Sequence, residues 1–598
     1  MKASDYIVSF MEGEGVDRVF LVAGGGIMHI MDSLDKSPKI QYICNHHEQA
    51  CAMAAEGYQR VRGGIGVAIS TTGPGGTNMI TGTIGSWMDS IPMLFISGQS
   101  NSSSLIGNTG LRQKGVHEAD IVSLIKPITK YAVIVIEVSE LRYHLEKAVY
   151  LAKNGRPGPV WLDIPIDVQA KEIEPSKLHG FDPQVEFPRG FLFSGAAEAN
   201  AKKVAELLAC AKRPLFVCGH GIRLSRAIDD FGKFLEKAQV PVVCAKNAYD
   251  IVEYSNPLFL GMAGINGVRS ANFAVQSCDL IISFGSRLAL PFTGYNSGSF
   301  APLAKHIVVD VDEKQLQHSN IRIDLPVQCD VGNFMRELSL LIPQGGWVRP
   351  AWIARCSHWK KDYPTMLSKY GEQKKFIDAY YFVDVLFEHL GSDVVVVLDQ
   401  GAAFYCPTQA GKMKKGQRMF TNGGISPMGY GLPAAIGACF GNGCKDVICL
   451  HGDGGLQLNI QELQTIVYHH LPIKLFVFNN NGYVSIKHTM QNYFGKMVAC
   501  DPQSGLSCPD TGKIAAAYGI PHERMASLSE LREKMPRVLS THGPIVIEVM
   551  IDPMQPIVPK VQSERLPDGR MVSKPLDDMY PYLSRAEYEK EKSFPENE

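Results

Sequence analysis

Four consecutive residues, Gly452, Asp453, Gly454 and Gly455, together with Asn480 and Gly482 further on, are of the types that hold a phosphorylated ligand through a cation. Glycines let backbone approach a ligand closely, and the free N–H groups and dipole of a helix N-terminus favour phosphate. Asp453 and Asn480 offer hard side-chain oxygens and Gly482 a backbone carbonyl, a set that suits an octahedral Mg²⁺ bridging a diphosphate. The commonest phosphate loops do not fit. No Lys-Ser/Thr follows the glycines, and no third glycine completes a dinucleotide fingerprint.

The elements that must position these residues are legible in the same stretch, VICLHGDGGLQLNIQELQTIVYHHLPIKLFVFNNNG at 447–482. The apolar run 447–450 predicts a strand that enters the glycine turn. Ile460, Leu463, Ile466 and Val467 recur at helical spacing, and the run 473–478 after Pro472 predicts a second strand ending at the asparagines. Such a strand-helix-strand unit crosses over right-handed and brings both polar strand ends to one sheet edge.

A GDG turn followed by a helix, a strand and paired asparagines at this spacing resembles the diphosphate-binding motif of thiamine diphosphate (ThDP) enzymes. The likeness runs along nearly the whole chain. TTGPGGTN at 71–78, IPMLFISGQ ending at Gln99, GRPGPVWLDIP at 155–165 and LPAAIGA at 432–438 are similar to the acetolactate synthase group of that family. The resemblance implies ThDP and Mg²⁺ as cofactors and an α/β fold of three doubly wound parallel-sheet domains. These are a pyrimidine-binding domain at 1–185, a central Rossmann-like domain at 190–345 and a diphosphate-binding domain at 370–555, followed by a C-terminal arm at 556–598. The residue patterns agree, since helical spacing alternates with apolar runs in all three segments, which predicts parallel sheets covered on both faces. A proline-punctuated charged connector to about Arg189 reads as the first linker. An internal echo points to one fold for the first and third segments. Gly75 to Pro92 and Gly455 to Pro472 share a seventeen-residue offset between a glycine turn and a strand-opening proline.

The resemblance also assigns roles. HEQ and AEGY around Glu48 resemble the family's activating-glutamate helix, whose carboxylate hydrogen-bonds the aminopyrimidine so that it can deprotonate C2 of the thiazolium. Met428, in GGISPMGYGLPAAIGA, matches the apolar wedge that bends the cofactor. Gly75 joins Glu48, Met428, Gly452, Asp453, Gly454, Gly455 and Asn480 as cofactor-binding residues, while Asp453, Asn480 and Gly482 are the metal ligands. Gln99 and His117 join Glu48 as catalytic candidates, His117 as a proton shuttle to a nascent alkoxide. GMAGINGVRSANFAVQSCDLIISFGSRL at 261–288 and IVVDVD at 307–312 resemble the group's FAD-binding domain, with Asn266 in place of the usual histidine. FAD binding and a bare structural domain stand there as even alternatives.

Departures from the family fall on the acceptor side. The arginine expected for the second keto acid's carboxylate aligns with Pro291, a Phe-Gln pair with Val116-His117, a Gln-His-Gln run with Ala402-Ala403-Phe404, and a substrate-sorting tryptophan with Thr489. The expected activity is decarboxylation of a 2-oxo acid, pyruvate before others, with transfer of the two-carbon acetyl unit to an acceptor carbonyl such as a nucleotide-linked keto sugar. Acetolactate synthase is the nearest alternative, followed by a 2-oxo acid decarboxylase, a flavin-dependent oxidase and a catalytically silent paralogue. The family builds each site from two chains, which implies a homo-oligomer, at least a dimer.

Composition narrows the class rather than the reaction. A chain of 598 residues exceeds one hydrophobic core. A formal net charge of -1 gives no footprint for nucleic acid or anionic membrane. Fourteen cysteines scatter without a CxxC pair or zinc spacing, and no apolar run reaches membrane-spanning length. The N-terminus reads as an amphipathic helix rather than a signal peptide, so the expectation is a cytoplasmic protein with reduced thiols.

Overall fold

Continuous apolar runs rich in Val and Ile suit strands buried on both faces, as in parallel sheets with helices on either side. The computed structural model describes the chain except residues 189, 192–196, 566, 567, 569 and 594–598, so the expected linker end at Arg189 lies outside the described residues. The first sheet contains β1 (Arg18–Leu21), β2 (Gln41–Cys44), β3 (Gly66–Ser70), β4 (Met93–Gln99), β5 (Tyr131–Ile134) and β6 (Pro159–Pro165). All are parallel, in the order β2-β1-β3-β4-β6-β5.

The central sheet contains β7 (Pro214–Cys218), β8 (Val242–Cys244), β9 (Phe259–Met262), β10 (Leu280–Phe284), β11 (Lys305–Asp310) and β12 (Leu325–Gln328), in the order β12-β11-β10-β7-β8-β9. The order reverses between β7 and β10, which opens a crevice at their C-terminal ends, the usual dinucleotide position in such sheets. There the two glycine loops interlock: Gly221 N–H donates to the Gly285 carbonyl at 2.9 Å, and a β-carbon on Gly219 would lie 2.3 Å from that same oxygen.

The third sheet contains β13 (Val395–Leu398), β14 (Arg418–Phe420), β15 (Val447–Gly452), β16 (Ile473–Asn479), β17 (His522–Met525) and β18 (Ile545–Met550), in the order β14-β13-β15-β16-β18-β17. That is the permutation of the first sheet. Register agrees too, for Met93 after Pro92 pairs with Gly66, and Ile473 after Pro472 pairs with Val447. The sequence echo therefore marks the same strand, turn, helix and strand in two domains of one fold.

The helix expected after the glycine turn is broken. Asp453–Leu456 is one short turn, Ile460–Glu462 is a 3-10 turn, and only Leu463–Tyr468 continues as α-helix. The break has a partner-driven cause: Asn459 Nδ2 donates to the Gly429 carbonyl at 2.8 Å and to Gln49 Oε1 at 3.2 Å, which pulls that residue out of helical geometry. A single turn still presents N–H groups but sums few peptide dipoles.

The first and third domains meet through helices Glu48–Arg62 and Gly431–Gly441. Their backbones nearly touch. A β-carbon on Gly437 would lie 1.7 Å from the Ala54 carbonyl oxygen, and one on Gly57 would lie 2.2 Å from that of Ala434. The C-terminal arm forms a hairpin, β19 (Ser563–Arg565) with β20 (Met571–Ser573), and then helix Arg585–Lys592. It docks on the central domain, where Val561 N–H donates to the Ile265 carbonyl and Leu576, Met579 and Tyr588 join the core around Phe273. No helix among the described residues is long and apolar enough to cross a membrane.

Candidate active site

Asp453 opens the short helix at the end of β15 and is 3% exposed. Its Oδ1 accepts from Gly454 N–H at 2.9 Å and its Oδ2 from Gly482 N–H at 3.0 Å. Burial nevertheless dominates and pushes the carboxyl up to about 6, against those N–H donors. A carboxylate so placed is relieved by a cation. The Asn480 amide points one terminal atom at the Gly482 carbonyl, 2.6 Å away, and at Asp453 Oδ1, 3.3 Å away. With nitrogen there, both contacts are hydrogen bonds; with oxygen there, three oxygens face one another and need a positive centre between them. Neighbouring ligands of an octahedral Mg²⁺ at about 2.1 Å stand about 3 Å apart, so the spacing suits that ion. Among the described residues no three His, Cys, Asp or Glu side chains gather as a metal cluster, and this donor set has a single carboxylate completed by amide and carbonyl oxygens.

The glycines divide into two kinds. A β-carbon on Gly452 would meet nothing within 4 Å, so its face is open to a ligand. One on Gly454 would strike the Tyr483 ring at 2.4 Å, and one on Gly455 an Asp399 carboxylate oxygen at 2.3 Å. Their smallness serves packing inside the chain. Gly75 is of this second kind: it is buried, and a β-carbon there would lie 3.0 Å from Thr71 Cγ2. Packing inside the chain therefore requires glycine at Gly454, Gly455 and Gly75 whether or not their backbone also faces a ligand.

Glu48 is the first residue of its helix, capped by His47, whose ring accepts from Gln49 N–H. Asn78 Nδ2 donates to Glu48 Oε2 at 2.8 Å, and Oε1 has no partner among the described residues. The carboxylate is thus oriented by one oxygen and free at the other. Met428 is 40% exposed on a loop fixed at both ends: Gly423 N–H donates to Asp89 Oδ2, and the Gly429 carbonyl accepts from Asn459. Asn459 also holds Gln49, so it joins the elements that carry Glu48 and Met428. Asn459 did not stand out in the sequence, and Asn78 did so only as the end of the 71–78 motif, because their roles depend on partners far along the chain.

Gln99 is 2% exposed and its amide is fully used. Oε1 accepts from Thr72 Oγ1 and Ser100 N–H, while Nε2 donates to Asp163 Oδ2 and the Ala119 carbonyl. Nothing is left for a substrate, so Gln99 braces the strand end instead of acting as the expected catalytic group. His117 is exposed at φ +57, and its carbonyl lies so close to Gly73 that a β-carbon there would approach it to 2.3 Å. The imidazole makes no hydrogen bond among the described residues.

Comparison with known proteins follows the three sheets. The thiamine pyrophosphate enzyme N-terminal TPP binding domain matches residues 1–124, the central domain 201–338 and the C-terminal TPP binding domain 400–549. The probable acetolactate synthase large subunit of Methanocaldococcus jannaschii is 32% identical over 582 residues, which cover 96% of this chain and 95% of that protein. The chain belongs to the thiamine pyrophosphate enzymes. Within them it is acetolactate synthase-like: isozyme 2 large subunit of Escherichia coli is 31% identical over 94% of this chain and 97% of its own length. The acetolactate synthase large subunit of Lactococcus lactis is 30% identical over 93% of this chain and 94% of its length.

In this thiamine pyrophosphate enzyme the positions at which the sequence departs from the family are apolar or already engaged within the chain. Ala402, Ala403 and Phe404 are buried, and Thr489 Oγ1 is spent on the Ser485 carbonyl at 3.0 Å. Pro291 lines a cleft of about 620 Å³ at the switch point between β7 and β10, and its carbonyl accepts from Ile265 N–H. Two other cations, Arg287 and Lys487, could take the place of the arginine; Arg287 lines the same cleft as Pro291, whereas Lys487 is already engaged. It is 2% exposed, and its ammonium donates to the carbonyls of Asn480, Asn481 and Pro553.

Proposed function

We propose that the enzyme is a carboligase that removes CO₂ from pyruvate and transfers the remaining two-carbon unit to the carbonyl of an acceptor other than a second pyruvate, with a nucleotide-linked keto sugar as the acceptor class. Bound ThDP would supply an acidic C2 position and an electron sink for loss of CO₂. Asp453, Asn480 and the Gly482 carbonyl would hold the Mg²⁺ that anchors its diphosphate, and the open face of Gly452 admits the phosphate. The free Oε1 of Glu48 would share a proton with the pyrimidine ring nitrogen, with Asn78 fixing the carboxylate. Met428 would support the cofactor from below, and His117 would pass a proton to the acceptor's oxygen.

The observation that supports the acceptor assignment is Pro291 on the cleft wall, at the position where the resemblance expects an arginine; Lys487 is saturated by three carbonyls, and the cations left in the cleft, Arg287 and Lys246, stand at other positions. A second reading, acetolactate synthase itself, is favoured by the names of the relatives. The decisive experiment supplies pyruvate with and without keto-sugar nucleotides and follows CO₂ and product masses. Sugar adducts should form faster than acetolactate. Acetolactate formed from pyruvate alone at the faster rate would make the enzyme an acetolactate synthase.

The central cleft suits FAD by its place at the switch point and its volume, with no net redox part in carboligation. Purified protein would then be yellow and release flavin on denaturation. Colourless protein that takes up no added FAD would assign the cleft to another ligand. Assembly as a homodimer at least is part of the proposal, supported by apolar side chains left open beside the site residues, Val116 at 77% and Met428 at 40% exposure.

A further inference from the structure

We infer that Lys246 recognises an anionic group on the acceptor, an assignment that rests on the carboligase reading above. Its side chain leaves the loop after β8, and Nζ lies 3.2 Å from Ser426 Oγ and 4.8 Å from the centroid of the Phe404 ring. Ser426 belongs to the loop that presents Met428, and Phe404 lies in the first turn of helix Ala402–Ala410 after β13. One ammonium from the central domain therefore reaches the two third-domain segments between which an acceptor would enter. The same side chain lines the cleft at the switch point, together with Arg287.

The charge on Lys246 is unbalanced. It has no ion pair among the described residues, a serine hydroxyl is neutral, and an aromatic face offers only its quadrupole. The carboxylate that acts on it from nearby is Asp89, whose Oδ2 already accepts from Arg60, Asn247 and Gly423. Arg287 acts on it with the opposite sign, and Arg287 has no hydrogen bond or ion pair among the described residues either. Burial is the largest influence on both groups and lowers both pKa values. An ammonium taken from water without a counter-ion is costly, so the pair of cations is complete only when an anion enters. A carboxylate beside the acceptor carbonyl and the diphosphate of a nucleotide-linked keto sugar both have that chemistry.

The test is a discrimination ratio. Holoenzyme with pyruvate as donor is offered 2-oxobutyrate, a nucleoside diphosphate-linked 4-keto sugar, or neutral butane-2,3-dione, and kcat and KM are measured for each acceptor. In Lys246→Met the ratio of kcat/KM for an anionic acceptor to that for butane-2,3-dione should fall about ten- to a hundredfold, through KM, the loss of one charge-assisted hydrogen bond. Lys246→Arg should recover most of it. The ratio cancels the fraction of folded enzyme, and the anionic acceptor that suffers the loss identifies the group recognised. An unchanged ratio would overturn the assignment, as would a wild type that accepts only the neutral ketone. Loss of bound FAD from Lys246→Met with the ratio intact would give the ammonium to a dinucleotide instead. A wild type that releases no CO₂ from pyruvate would be a different failure, that of the carboligase reading.

Discussion

Asp89 Oδ2 lies 2.5 Å from Arg60 Nη2, and that one oxygen also accepts from Asn247 Nδ2 and Gly423 N–H. Arg60 belongs to the first domain, Asn247 to the central one and Gly423 to the third, so a single buried carboxylate ties all three together. Arg60 is held in turn by Glu56, which accepts from Asn422. The node sits at the base of the loop that presents Met428, where domain docking and wedge position become one structural problem.

Removing one partner of such a buried pair leaves an uncompensated charge, at a cost of about 3–5 kcal/mol. Asp89→Ala and Arg60→Ala should each lower the thermal midpoint strongly, and the double variant should lose less than the sum. A midpoint loss that is simply additive would show that the two groups do not act as a pair.

The close approach of helices Glu48–Arg62 and Gly431–Gly441 makes a second prediction. Gly437→Ala would force a methyl group to within 1.7 Å of a carbonyl that cannot move alone, so it should destabilise by about 3 kcal/mol or more. Gly13, where a β-carbon meets nothing within 4 Å, supplies the control: Gly13→Ala should leave the midpoint unchanged or slightly raised. Equal effects of the two substitutions would refute close packing at Gly437.

A third prediction concerns pH. Burial pushes the Asp163 carboxyl up to about 7, against hydrogen bonds from Ser97 and Gln99 that favour its charged form. In the unfolded chain the group titrates near 4, so the folded protein binds this proton more tightly. Its contribution to stability is complete below about pH 4 and is lost as the pH rises through about 7. The wild-type thermal midpoint should therefore fall, relative to that of Asp163→Asn, between about pH 4 and 7, and the difference should level off above that. Parallel profiles for the two proteins would contradict the raised pKa.

The fourth prediction tests whether the site is shared between chains. Glu48→Gln should lose proton exchange at C2 of bound ThDP, and Asp453→Ala should lose metal-dependent cofactor binding, leaving each homo-oligomer inactive. If each site takes Glu48 from one chain and Asp453 from another, unfolding and refolding an equal mixture should restore about a quarter of wild-type activity, because mixed dimers keep one intact site. No recovery in a mixture that demonstrably forms mixed dimers would place both residues in a site within one chain.

Local pattern determined the three-sheet architecture of this protein, and together with the family resemblance it pointed to the candidate cofactor site. Glycine turns, strand-length apolar runs and the seventeen-residue offset from Gly75 to Pro92 and from Gly455 to Pro472 are short-range features, and two domains with the same strand order follow from them. Asp453, Asn480 and Gly482 were legible for the same reason, since one strand-helix-strand unit brings them together. Tertiary structure decided what each remaining group is free to do. Gln99 is silenced by Thr72 and Asp163, Lys487 by carbonyls that include Pro553, and the helix after Gly455 is broken by the demands on Asn459 from Gly429 and Gln49. Glu48 gains its orienting partner from Asn78, and Lys246 is left without a counter-ion because Arg60 and Asn247 have already claimed Asp89. A hydrogen-bond donor or acceptor has finite capacity, and whether that capacity is spent depends on groups tens to hundreds of residues away, which periodicity and spacing do not encode.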